Sequence, residues 1–359
     1  MPARRAVAGK SRTKTMNQKP FAAKSTTDWY TEARRLMAAP KEGWESVDYT
    51  HVAAVLSEAA EKTYEYYPFS ETLAIAEAAV AAAQVAGSRR EEANALKMMG
   101  RALSQIGYPL KALPPYEQAL PIMREVGDRM GEATILNETG QAYRAVGQQQ
   151  QAWELGLFRQ AEEIILEMDD YAQNAEALTQ IGDARLDRND WNAIDYYSQA
   201  LSIFRERGDK AGEAQMLNDI GVAESDLWGT REKAFGLFEQ AASLFQQVGN
   251  KAGEATALDN MASMLFLEMN DQAQAVEVYK RALPLWVELG GKWYERSTRL
   301  EIARRSDTLG RLDEVEAQFI EIIALDEAIG HSDWEYDRTV LDRVEAVRRG
   351  EATRVWPVP

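Results

Sequence analysis

The sequence predicts an all-α solenoid of about seven helix–turn–helix repeats, ended by a C-terminal capping helix. Three observations carry that expectation. The first is a recurring loop, written EVGDRMGEATILNETG, ERGDKAGEAQMLNDIG and QVGNKAGEATALDNMA. Its glycine slot falls at Gly87, Gly127, Gly208, Gly249, Gly290 and Gly330, with Asp169 in one copy, at intervals of 40, 42, 39, 41, 41 and 40 residues. A fixed period of this size marks a stacked array in which each unit buries its face against its neighbours. The second is a small residue thirteen places after the slot: Gly100, Gly140, Gly182, Gly221, Ala262 and Ala303, with Ala60 matching in the first unit. Glycine inside a helix costs about 1 kcal/mol relative to alanine, so a repeated glycine implies a repeated reason. The close crossing of another helix backbone is the reason expected. The third is a pair of positions counted backward from the slot. Eight back stands alanine (Ala79, Ala119, Ala161, Ala200, Ala241, Ala282, with Ile322 last), and eleven back an aromatic (Tyr116, Phe158, Tyr197, Phe238, Tyr279, Phe319, with Ala76 first).

In chain order, residues 1–24 hold seven basic residues and no acidic one. With no apolar periodicity and no apolar signal core, they read as a disordered basic tail. An amphipathic helix is expected from Asp28 to Ala39, with Trp29, Leu36 and Met37 on one side, ended by Pro40 and Gly43. Each repeat then supplies a helix A carrying the small residue and a helix B carrying the aromatic. Leu56, Leu96, Leu136, Leu178, Leu217 and Leu258 lie four residues before the small residue, on the same face. The 42-residue interval contains Gln148–Gln151, read as extra turn between helices A and B, where insertion is cheap. A last helix is expected over about Asp333–Arg349. Its small-residue position is Arg343, too large to admit another helix, so it reads as a polar cap. Val355 to Pro359 read as an extended, loose tail. The boundaries follow: 1–27 tail, 28–49 helix and linker, 50–333 array, 334–349 cap and 350–359 tail.

Composition narrows the function classes. There is no cysteine and only two histidines, His51 and His331, at opposite ends of the chain. That excludes disulfides, thiolate chemistry and cysteine metal sites, and no metal or other cofactor is expected. Net charge is −16, and with the basic tail set aside the body carries −23. Such a body repels nucleic acid and anionic lipid and favours a partner with a basic segment. No run of 18 apolar residues occurs, so no membrane insertion is expected. Phosphate-loop, dinucleotide, zinc-protease and nucleophile-elbow motifs are all missing.

The small residues of helix A, the alanine and aromatic of helix B, and the loop G-D-x-x-G-E-A at Gly127–Ala133 and Gly208–Ala214 resemble the tetratricopeptide repeat. The usual repeat length is about 34 residues. The longer period here is similar to the variant of kinesin light chains, spindle-orientation adaptors and many bacterial arrays. The resemblance covers roughly residues 50–330. It departs in the helix-A tyrosine, present only as Tyr143, and in the missing proline after helix B. It implies a right-handed superhelix with helix A on its concave face, no catalysis, and a scaffold or adaptor binding an extended peptide or protein in the cytoplasm. Bacterial arrays of this type are often fused to a signalling or protease domain; this chain would act alone or in trans. A ligand-responsive sensor, an assembly chaperone for a partner enzyme and a self-assembling structural protein are the alternatives.

Placed on that face, the groove candidates are Lys97, Arg101, Asn137, Gln141, Arg144, Asp183, Asp187, Asn218, Asp226 and Asp259. They grade from basic and amide-rich to acidic. Side-chain amides both donate to and accept from a peptide backbone, and Asn137 and Asn218 match the asparagine the long-repeat adaptors use in this way. The acidic part of a mixed-charge segment is expected at Lys97, Arg101 and Arg144, its basic part at Asp183, Asp187, Asp226 and Asp259.

Overall fold

The computed structural model describes residues 25–38, 46–64, 66–170, 174–228, 230–269, 271–329 and 334–356. The expectations for residues 1–24, Pro40, Gly43, Gly330 and Pro357 to Pro359 fall outside them. The described residues form α-helices and no strand. Helix α1 (Thr26–Ala38) precedes seven antiparallel pairs: α2 (Ser46–Thr63) with α3 (Phe69–Ala86), α4 (Arg89–Ile106) with α5 (Pro109–Val126), and α6 (Arg129–Ala145) with the broken α7 (Gln149–Glu154) and α8 (Leu157–Leu166). Then follow α9 (Ala175–Leu186) with α10 (Ala193–Arg207), α11 (Lys210–Ala223) with α12 (Arg231–Val248), α13 (Lys251–Met269) with α14 (Gln272–Leu289), and α15 (Lys292–Thr308) with α16 (Leu312–Ile329). Helix α17 (Trp334–Arg348) caps the stack. The fold is a right-handed α-solenoid of seven tetratricopeptide-like pairs with a C-terminal cap.

The repeated loop is a complete helix-to-helix joint. Gly208 ends α10 in the left-handed region, φ 67°. Its N–H donates to Arg205 O at 3.1 Å, and the Asp209 N–H donates to Phe204 O at 2.9 Å, the paired bonds of a Schellman stop. Asp209 then caps α11, its Oδ1 accepting from Gly212 N at 3.0 Å. Gly212 is glycine because a Cβ there would lie 2.2 Å from the Phe204 ring. Glu213 closes the joint by receiving Arg205 at 2.9 Å and Lys210 at 2.6 Å. Asp128, Gly131 and Glu132 repeat the arrangement with Met123, Arg124 and Arg129.

The glycines of helix A have a different cause from the one expected. A Cβ on Gly100, Gly140, Gly182 or Gly221 would lie 2.3, 2.5, 2.4 or 2.6 Å from the ring of Tyr116, Phe158, Tyr197 or Phe238. It is the aromatic of helix B in the same pair, not another backbone, that fills the space. Every one of these rings is buried, so the recurring phase is a knob entering a hole.

Two further expectations are corrected. The glutamine run opens α7 instead of lengthening the turn, and the extra length is absorbed at Leu155–Gly156, where Gly156 (φ 62°) breaks helix B in two. The described part of the tail is not loose. Val355 is fully buried, and the Trp356 ring sits 5.4 Å from that of Phe319. Arg343 does stand where a small residue would, and its Nη2 donates to Arg354 O at 3.5 Å, so the folded-back tail takes the place of another helix. Helix α11 also runs into a π-helical turn, Glu224–Trp228, that the periodicity did not announce. Glu224 is buried there and accepts from Thr230, just before the next helix, and from Lys233 within it.

By length and composition α3 is apolar enough to cross a membrane. Its Ile75, Ala76, Ala79 and Ala83 are fully buried in the core.

Candidate functional site

Helices α4, α11, α13 and α15 are the A helices of pairs two, five, six and seven, and they line one cavity of about 250 Å³. They contribute Arg101 and Gln105, Gln215 and Asn218, Thr256, and Tyr294, joined by Tyr64 and Phe69 from the first pair and Trp286 from α14. A neighbouring hollow of about 300 Å³ continues past Gln215 and Asn250 to Thr179 and Gln180 on α9. Trp286 stacks on Tyr294 with ring centroids 4.4 Å apart.

Of the predicted residues, Arg101 and Asn218 meet in this cavity. Arg101 pairs with Glu138 at 3.1 Å and lies over the Tyr64 ring at 4.4 Å. Asn218 is buried and accepts from Asn260 Nδ2 at 3.0 Å. Asn137 is equally buried. Its Nδ2 donates to Gln180 Oε1 at 2.5 Å and Gln180 O at 3.2 Å, and its Oδ1 has no partner among the described residues. Neither asparagine is therefore the open face residue expected; each is bonded to the A helix of the next pair. Lys97 is half-buried and Gln141 exposed. Arg144 is paired with Asp187, so a predicted basic residue and a predicted acidic one neutralise each other, and the expected polarity is weakened at its basic end.

At the acidic end, burial raises Asp183, Asp226 and Asp259 of the expected carboxyls. Burial raises the Asp183 carboxyl well above its ordinary range, the nearby Asp219 charge adds to this, and the Tyr197 hydroxyl, donating to its Oδ1 at 2.9 Å, opposes it. Asp219 is raised by burial too, against hydrogen bonds from Gln215 and Asn218. Asp259 is pushed up to about 7 by burial, although Trp286 Nε1 donates to it at 2.7 Å and the Thr298 hydroxyl at 3.0 Å. Asp226, on the π-helical turn, is raised by burial, with Arg144 opposing. Among the described ion pairs none joins a cation to Asp183, Asp219 or Asp259. No group of three or more His, Cys, Asp or Glu side chains among the described residues could hold a metal ion.

Glu138, Asp219, Tyr64, Trp286 and Tyr294 belong to this region and were not singled out from the sequence. Two of them had a readable signal. The position two before the small residue runs Glu138, Gln180, Asp219, Asn260 and Glu301, a polar line on consecutive A helices. The aromatics had none, because they arrive from opposite ends of the array.

The soluble NSF attachment protein family matches residues 127–290, less than half of the chain. No protein of curated function matches the chain by sequence. Among solved structures, the chain is similar to a signal-transduction ATPase with numerous domains from Pyrococcus horikoshii that carries a tetratricopeptide repeat sensor. The identity is 14% and the TM-score 0.52, over 91% of this chain and 50% of that one. It is similar as well to yeast Tom70, at 14% identity and TM-score 0.53, over 90% of this chain and 60% of that one. The chain thus spans only half to three-fifths of those proteins, and the likeness is one of fold.

Proposed function

We propose that the chain is a non-catalytic adaptor of the long tetratricopeptide type, working in the cytoplasm, whose inner wall holds an extended peptide with basic residues. One observation carries the reading: Asp183, Asp219 and Asp259 stand half-buried on three successive A helices, burial raises each carboxyl, and no described ion pair gives any of them a cation. A buried carboxylate without a counterion is costly, and an incoming Lys or Arg relieves that cost. The stacked Trp286 and Tyr294 offer aromatic faces to the same cation. The exposed Gln215 offers its amide oxygen to a peptide N–H. Toward the other end, Lys97 and Arg101 suit an acidic residue of the same segment, Arg101 exchanging its Glu138 partner. The Pyrococcus protein's use of such repeats as a sensor accords with a binding role.

The test is selection of displayed random peptides on the immobilised protein at pH 8, where the carboxyls ionise most readily. The expected outcome is enrichment in Lys and Arg, with affinity for the selected peptides at least about tenfold weaker, about 1.4 kcal/mol, in Asp183→Asn/Asp219→Asn. Selected peptides without basic residues, or unchanged affinity in the double variant, would remove the reading.

A further inference from the structure

The inner wall carries a spacing as well as a charge. The two hollows described above share Gln215, Phe245 and Asn250 in their linings, so they adjoin as one trough. It crosses three successive A helices: α9 at Thr179, α11 at the exposed Gln215 and α13 at Thr256. Asp183, Asp219 and Asp259 stand four, four and three residues after those positions. Residues three and four apart share one face of a helix. Each crossing therefore has one carboxyl a turn further along the same face.

The distance between these carboxyls follows from the stack. The three helices touch through side chains: Thr179 Oγ1 lies 3.3 Å from Met216 Sδ between α9 and α11, and Asn260 Nδ2 donates to Asn218 Oδ1 at 3.0 Å between α13 and α11. Helices in such contact have axes about 8–10 Å apart. Asp183 is one place after the small residue of its helix, Asp219 two before and Asp259 three before. At about 1.5 Å of rise per residue these offsets are small, and neighbouring carboxyls lie about 8–11 Å apart. A β-strand does not match that row. Its side chains alternate between faces, so those on one side recur at about 6.6 and 13 Å. A polyproline II helix repeats every three residues, which is about 9.3 Å, and does match.

We infer that the wall reads a segment in the polyproline II conformation with Lys or Arg at every third position, one each for Asp183, Asp219 and Asp259. The inference rests on the basic-peptide reading above and adds its register. An ionised carboxylate has about four acceptor positions. Tyr197 takes one at Asp183, and Trp286 and Thr298 take two at Asp259, which leaves others for an ammonium or guanidinium group. The gap of one turn between trough and carboxyl is about 5.4 Å, within reach of the methylene stem of Lys or Arg, which can lie along the wall while its charged head extends.

Three fluorescein-labelled peptides of identical composition test the register. Each carries three Lys in a host of Pro and Ser, separated by two, three or four positions, so net charge is constant and only spacing varies. Fluorescence anisotropy on the full chain at pH 8 and low salt, where charge pairing is least screened, reads their affinities. The peptide with Lys at every third position is expected to bind at least about tenfold more tightly than either of the others. Asp219→Asn removes the middle carboxylate and should shrink that preference to about threefold or less, whereas Asp219→Glu, which keeps the charge, should retain it. If Asp219→Asn loses its helical circular dichroism, Asp183→Asn is put through the same measurement and decides the matter. Equal affinities, or tighter binding at a separation of two or four, overturn the register and leave the basic-peptide reading standing. A tenfold preference that survives unchanged in the folded Asn variant overturns the assignment to these carboxyls. Binding by none of the three peptides removes the basic-peptide reading and the register with it.

Discussion

Two regions of the molecule withdraw carboxyl groups from water, one fully and one by half, and they do so in opposite ways. Where α17 caps α15 and α16, Asp326 and Asp337 flank Arg296, whose Nη2 donates to Asp337 at 3.0 Å and whose Nε donates to Asp326, all three being buried. On the inner wall, the described donors to Asp183, Asp219 and Asp259 are neutral: Tyr197, Gln215, Asn218, Trp286 and Thr298. The first arrangement is complete in itself and fixes a joint. The second is held in shape by neutral donors, and no described ion pair supplies it a countercharge, which is what the proposed peptide site requires.

The most severe way to break this contrast is to make the cap resemble the inner wall. Arg296→Met removes the cation and leaves two buried carboxyls facing each other. Removing one partner of a buried ion pair costs about 3–5 kcal/mol, so the denaturant midpoint should fall by a corresponding amount, with the loss centred on α15–α17. A loss below about 1 kcal/mol, at the level of an exposed ion pair, would mean that water already reaches the triad.

The next effect is a pH dependence that belongs to the inner wall. Asp259 ionises at about 7 in the folded chain and at about 3.9 when unfolded. Between those values the folded state holds a proton that the unfolded state has released, so stability falls as pH rises. This contribution is fully present below about pH 4 and is lost by about pH 7. Glu213, held low by Lys210 and Arg205, and Glu314, held low against its burial by Lys280 and Ser306, act in the opposite direction and lose their contribution as pH falls. The measurement is therefore a difference. Asp259→Asn should remove a downward slope of up to about 1.4 kcal/mol per pH unit between pH 4 and 7, measured by urea denaturation against the parent. Parallel pH profiles would show that Asp259 is solvated after all.

How much of this was legible follows from what repeats. The loop, the helix-A glycine and the helix-B aromatic recur at one phase, so pairing and order could be counted out. The cause of the glycine could not, because Tyr197 lies fifteen residues from Gly182 and only the folded pair shows its ring in that space. The Arg296 triad and the Trp286–Tyr294 stack occur once, and a feature without copies has no phase to betray it. The placement of Asn137 and Asn218 on helix A was readable, whereas their burial depended on how far the next A helix leans over them. The break at Gly156 was misplaced for a related reason: one αL residue can absorb extra length inside a helix as cheaply as a turn can outside it.

Gly182 tests the link between the joint and the wall. Gly182→Ala would place a methyl group 2.4 Å from the Tyr197 ring, and that ring's hydroxyl is the donor to Asp183. Overpacking of this kind costs about 1–3 kcal/mol, more than the roughly 1 kcal/mol that alanine regains in helix propensity. The variant should be destabilised in a thermal melt. It should also shift the pH dependence of the wall, since Asp183 loses a hydrogen bond to its charged form. A melt unchanged from the parent would mean that Tyr197 can swing aside freely.

The smallest effect has the opposite sign and supplies the control. Gly236 lies within α12, yet a Cβ there would meet nothing within 4 Å and its φ is not positive. No ring enters the space, so the same substitution keeps only the propensity gain. Gly236→Ala should raise stability by about 0.5–1 kcal/mol, read as a higher urea midpoint at unchanged slope. With Gly182→Ala falling and Gly236→Ala rising, the sign of a glycine substitution reports whether an aromatic knob occupies that place in the array. Two changes of the same sign would mean that the helix-A phase is set by something other than the ring beside it.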